Sequence, residues 1–134
     1  MTSNDEQPGQ DTGAIELAHR LFDAARAGDL PLLRSYVDAG VPADLTNSAG
    51  DSLLMLAAYN GHAPVVDYLV GRGADVNALN DRGQSPLAGA VFKGYADVVR
   101  SLVAAGADAG AGQPSAIGAA GYFGRQDLLG LLRK

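Results

Sequence analysis

The chain has 134 residues, with 15 acidic against 10 basic side chains, a net charge of −5, no cysteine and 47% hydrophobic residues of which few are aromatic. That balance allows one domain with a real core, rules out disulfides and cysteine-ligated metals, and speaks against nucleic acid, whose phosphates need a basic face. No run reaches the roughly 20 apolar residues of a bilayer span, and the polar, acidic start lacks a signal-peptide pattern. The expected location is therefore the cytoplasm, with no membrane partner. Arg outnumbers Lys 8 to 2 and Ala and Gly are heavily used, a compositional hint of a GC-rich bacterial genome.

Residues 1–12 hold polar, acidic, Pro and Gly residues without periodicity and predict a disordered acidic arm. A helix is predicted from about Gly13, with Ile15, Ala18, Leu21, Phe22 and Ala25 on one apolar face and Gly28 as its stop. A second helix follows from Pro31, a residue suited to a first helical turn, carries Leu32, Leu33, Tyr36 and Val37, and stops at Gly40. Residues 40–51 and 73–84 are rich in Gly, Asn and Asp, which is turn chemistry. Ser52 and Ser85 then stand where an N-cap hydroxyl would accept from free helix amides. The paired second helices are predicted over residues 63–70 and 96–103. The last helix is predicted from Asp127 onward.

Four short segments punctuate this plan and end in Gly28, Gly61, Gly94 and Gly124. The first two intervals between these glycines are equal, and the last is slightly shorter. A period in the low thirties marks a solenoid, in which each unit buries its apolar face only against its neighbours. The units are placed at about 13–46, 47–79, 80–109 and 110–134, with residues 13–134 forming one domain.

The run from Gly61 to Ala78 resembles the second half of an ankyrin repeat, and the run from Asn80 to Leu87 resembles the first half, with Ser85 in the usual Thr place. The resemblance covers roughly residues 14–134 and extends to small stand-alone bacterial ankyrin proteins, some of which are associated with catalases. It implies an all-α fold of four stacked helix–turn–helix units joined by short β-hairpin-like turns, the first and last units acting as caps. The family's Thr-Pro-Leu-His block appears as Ser52-Leu53-Leu54-Met55, Ser85-Pro86-Leu87-Ala88 and Ser115-Ala116-Ile117-Gly118, without its histidine. Packing is expected to take over that histidine's role. The last unit is shortened, and residues 110–114 replace the family's hairpin finger.

Chemistry that needs a nucleophile, a base and an acid would draw on two histidines, His19 and His62, and neither has a partner placed beside it by sequence. His62 follows a repeat glycine, a structural position in the family, and His19 reads as a partly exposed residue of a capping helix. Most of the carboxylates sit at turns, among them Asp44, Asp51, Asp75, Asp81 and Asp108, while Asp29, Asp97 and Asp127 lie near helix starts where negative charge suits the dipole. A calcium loop or a phosphate-cradling loop finds no matching spacing. No catalytic residue, metal or cofactor is expected.

The resemblance implies a binding surface on the concave side, at the two places before each repeat glycine. One column holds Arg26, Tyr59, Phe92 and Tyr122, and the other holds Ala27, Asn60, Lys93 and Phe123. Three aromatics in one column, out of eight in the chain, favour a protein interface, because Tyr and Phe bury large area at small entropic cost. The bland reading is that they cover small alanines of neighbouring units. Finger residues Ser48, Ala49, Asp51, Asp81, Arg82 and Gln84 would form a polar rim. The leading function is a non-enzymatic protein–protein interaction module, an accessory or regulator of another enzyme. A small-molecule-binding or catalytic groove on the same face, and a plain structural spacer, are the competing readings. A monomer is expected, with a weak homodimer through the leucines of the last helix as the alternative.

Overall fold

The computed structural model describes residues 12–132. The described residues form eight helices: α1 (Thr12–Ala27), α2 (Leu30–Asp38), α3 (Leu53–Tyr59), α4 (Ala63–Gly71), α5 (Pro86–Lys93), α6 (Ala96–Ala104), α7 (Ala116–Tyr122) and α8 (Gln126–Leu132). Among the described residues the sheet content is one isolated antiparallel bridge, Thr46 with Ser52. The fold is an all-α repeat solenoid. The helices follow one another as four pairs, α1–α2, α3–α4, α5–α6 and α7–α8. The arm expected over residues 1–12 lies outside the described residues except for Thr12, which already opens α1.

Local chemistry explains where the helices start and stop. The hydroxyls of Ser52, Ser85 and Ser115 accept from the amides of Met55, Ala88 and Gly118, each at 3.0 Å, so α7 is capped like the two helix starts read from sequence. Asp29 caps α2 by accepting from the Leu32 amide at 3.2 Å, with Pro31 in the first turn. The four repeat glycines have φ between 67° and 80°, a left-handed backbone that side chains with a Cβ disfavour. That conformation lets the chain reverse within a few residues and lay the second helix of each pair against the first.

The helices stack in two layers. Helices α1, α3, α5 and α7 pack in sequence as the first layer, and α2, α4, α6 and α8 pack in sequence as the second. Helices α3 and α5 are short, and residues 53–58 and 86–91 are buried throughout, because neighbours cover them on both sides. The core is built from Leu, Val and Ala, with Leu33, Leu53, Leu54, Val66, Leu69, Val91, Val98 and Leu102 all inaccessible. Small alanines at positions 57, 58, 90 and 120 let the first-layer helices approach closely. Met55 and Ala88 are buried where the family's histidine would stand, as packing groups rather than hydrogen-bonding ones.

One expectation is corrected. Periodicity places Ile15 on the apolar face of the first helix, yet it is 48% exposed. Helix α1 is more than twice the length of α3, so its first turns overhang the neighbour that would cover them. Leu17 and Ala18 pack half-buried against the core, and full burial in α1 begins at Leu21 and Phe22.

Polar contacts then tie each unit to the next. The Asp44 carboxylate accepts from the Asp75 amide at 2.9 Å, and the Asn77 side chain accepts from the Asp108 amide at 2.7 Å. On the second layer the Tyr68 hydroxyl donates to Asp38, the Arg72 Nε stands 3.6 Å from the same carboxylate, and the Arg34 guanidinium lies 5.3 Å from the Tyr68 ring centre. Burial, reinforced by the hydrogen bond to Asp38, raises the Tyr68 phenol above its usual range.

Candidate interaction groove

The expected binding positions fall into two sets. Arg26 is exposed and pairs with Asp23 at 2.9 Å on α1, while its carbonyl accepts a 2.7 Å bond involving the His62 Nε2. His62 therefore joins two units, which is a structural role. A Cβ on Gly28 would lie 2.6 Å from the His62 ring, and Tyr95 and Arg125 occupy the same place against Gly61 and Gly94. In each case the residue after one repeat glycine covers the glycine of the unit before it.

The finger residues fold onto one another. Buried Asn80 accepts through Oδ1 from the amides of Arg82 and Gln84, both at 3.0 Å, and donates through Nδ2 to Asp51 at 2.8 Å and to the Gln84 side chain at 2.7 Å. Asn47, at the matching place in the preceding finger, accepts from the amides of Ala49 and Asp51 in the same way. Asp51 and Gln84 are thus held inside the fingers, while Asp81 and Arg82 remain exposed at the tip. Composition marks both asparagines only as turn residues. The signal that could have singled them out is their identical place in successive units. The Asp81 amide donates to the Ala49 carbonyl, and the Gln113 amide donates to the Gly83 carbonyl at 2.9 Å, so the shortened segment at residues 110–114 still docks on its neighbour.

The aromatic residues of the two columns touch one another. Tyr59 is half-buried: its ring lies across Gly89, where an added Cβ would come within 1.6 Å of it, and its hydroxyl donates to the Ser85 carbonyl at 3.5 Å. Burial, aided by the Asp51 charge and opposed by Arg82, raises its phenol pKa. Phe92 and Phe123 meet edge to face with ring centres 5.0 Å apart, and Tyr122 meets Phe123 edge to face at 4.9 Å. Phe123, expected in line with Lys93, thus also touches Phe92 of the other column. Asn60 is exposed and donates to the Leu56 carbonyl at 2.7 Å, which caps α3.

These rings border a groove of about 630 Å³ on the first layer, floored by small residues of α5 and α7 (Ala88, Gly89, Gly118 and Ala119). Tyr59, Phe92, Tyr122 and Phe123 form its sides, Gln84 and Pro114 close the finger end, and Lys93 stands at the other. Phe92, Phe123 and Tyr122 remain 54%, 45% and 84% exposed. In α8, by contrast, Leu128 and Leu132 are buried, and Leu129 and Leu131 pack half-buried against the core. That leaves less apolar surface for a second copy than the run of leucines suggests.

Stacked helix pairs with a shared face and turn tips in register define a helical-repeat solenoid. The chain belongs to the ankyrin-repeat family: the family model for ankyrin repeats in three copies matches residues 21–112. The pair α7–α8 lies beyond that match. The chain is also similar to a Pseudomonas aeruginosa chain described as an ankyrin repeat protein, at 44% identity over 54 residues, which covers 40% of this chain and 32% of the relative. It therefore spans about a third of that relative's length. Ankyrin repeats are in general protein–protein interaction modules without catalytic activity of their own. No helix among the described residues is long and apolar enough to cross a membrane.

Proposed function

We propose that this chain is a non-enzymatic interaction module that captures a partner protein in the groove between its last two first-layer helices, as an accessory or regulator of another protein. One observation carries the reading: three large aromatics, Phe92, Tyr122 and Phe123, stay substantially exposed while converging over a floor of alanine and glycine. Folding by itself gains little from leaving such rings in water, whereas an incoming side chain would bury them at small entropic cost. The helices beneath are packed by their neighbours, so the surface is prebuilt and association loses little to ordering.

The groove sits towards the end of the stack, on α5 and α7, with Tyr59 of α3 closing one side. Arg26, Asp81 and Arg82 are left as a peripheral rim. Affinity capture from the native host, with wild type beside the Phe92→Ala/Tyr122→Ala variant, tests this. The variant should lose the partner while its circular dichroism and thermal midpoint stay close to wild type. Equal capture by both proteins would sink the reading.

A further inference from the structure

Resting on that reading of the groove, we infer that its occupant is a short, extended segment of a partner protein in which a large apolar side chain lies one or two residues from an Asp or Glu. Charge is the first reason. The chain carries a net charge of −5, yet the residues lining the groove include no carboxylate, and their single charge is Lys93. Among the described residues Lys93, like several of the arginines, takes part in no ion pair, and it is the one cation that lines the groove. An exposed ammonium without a counter-charge, at the mouth of an apolar trough, is complementary to an anion attached to something apolar.

Dimensions give the second reason. Helix α5 is roughly 12 Å long at ~1.5 Å per residue, and the groove runs beside it from Gln84 to Lys93. An extended chain covers that length in about four residues. A side chain in the middle of the segment would rest on Gly118 and against the Tyr59 ring that covers Gly89, and an acidic neighbour would reach Lys93. A free small molecule fits less well. Sites for small ligands bury roughly 70–90% of their ligand, and here Tyr122, the outermost wall, is itself 84% exposed. A segment anchored at both ends by the rest of its protein does not need that enclosure.

Panning phage-displayed random linear peptides on the full chain tests the inference. Enriched peptides should share Phe, Tyr or Leu with Asp or Glu one or two residues away. Parallel panning on Lys93→Glu should select Lys or Arg at that place instead. A fluorescein-labelled copy of the best peptide should weaken about fivefold on Lys93→Glu, the scale of one exposed ion pair, and less on the neutral Lys93→Gln, which guards against a folding artefact. Changing the peptide's own acid to Lys should restore binding to Lys93→Glu. Enrichment without an acidic preference, an unchanged set on Lys93→Glu, or no enrichment at all overturns the inference. Apolar peptides that lack the acid but are lost on Phe92→Ala/Tyr122→Ala would overturn it while leaving the groove as an interaction surface. Peptides that persist on that variant would remove both.

Discussion

The ring of Tyr59 occupies the space that a side chain at Gly89 would need: a Cβ built there would fall 1.6 Å from Cε1. The tyrosine belongs to α3 and the glycine to α5, so the contact joins two units across the floor of the groove. Tyr59 is therefore both a wall of the site and a structural tenon.

Gly89→Ala should destabilise the fold, although alanine is the better helix former. The gain in helix propensity is about 1 kcal/mol, whereas forcing a half-buried ring out of its seat costs roughly 1–3 kcal/mol. Thermal melts of Gly89→Ala, Tyr59→Ala and the double variant check it. The double variant should recover part of the Gly89→Ala loss, since the clash needs both groups. Additive losses would show that the ring moves aside freely.

The Asn80 side chain makes four hydrogen bonds while nearly inaccessible, and it holds Asp51 of the preceding finger. Asn80→Ala should cost about 2–3 kcal/mol, because the finger's amides and the Asp51 carboxylate lose buried partners together. Urea unfolding measures this directly. Asn60→Ala, which removes a single bond from an exposed side chain, should cost well under half as much.

Alkaline pH should weaken the fold through Tyr59 and Tyr68. Both phenols are raised from the ordinary value of 10.0, chiefly by burial, so the folded chain keeps a proton that the unfolded chain has begun to lose. Their contribution is complete below pH 10.0 and disappears as pH rises through the higher folded value. Melting midpoints of wild type should fall over that range, and Tyr59→Phe/Tyr68→Phe should show a shallower fall. A parallel decline in both proteins would assign the loss to other groups.

His62→Ala should loosen the first unit from the second. The substitution removes the bond to the Arg26 carbonyl and uncovers Gly28, at a cost of about 1–2 kcal/mol. Hydrogen exchange is the sharper readout, with α1 and α2 losing protection before α5 and α6.

Much of the architecture is legible in the sequence because it repeats. The glycine interval locates the turns, and Ser52 and Ser85 locate two helix starts, since both signals act within a few residues of themselves. The groove is only half legible. The positions before each repeat glycine point to Phe92 and Tyr122, and both rings do line it. But the shorter last interval comes from the finger alone, since the spacing from capping serine to repeat glycine is the same in the last three units. The contact of Phe123 with Phe92 across the columns is made by ring packing that spacing does not announce. Tyr59 lies over Gly89 of the next unit, and no local pattern announces such a contact. Ile15 shows the same limit: periodicity assigns a face to a helix but says nothing of how far its neighbour extends.

The bonds between units run mostly one way. His62, Tyr68, Asp75, Asn80, Asp81, Asp108 and Gln113 each reach back to an oxygen of the preceding pair, and Tyr59, which donates forward to Ser85, runs the other way. The stack consequently has a vectorial character, like tiles that overlap in a single direction. An in-frame duplication of the segment between Gly61 and Gly94 should slot into such a row with its donors already facing their acceptors. The same segment from an unrelated stack would arrive without them. Lengthening this protein is thus a matter of copying its own middle.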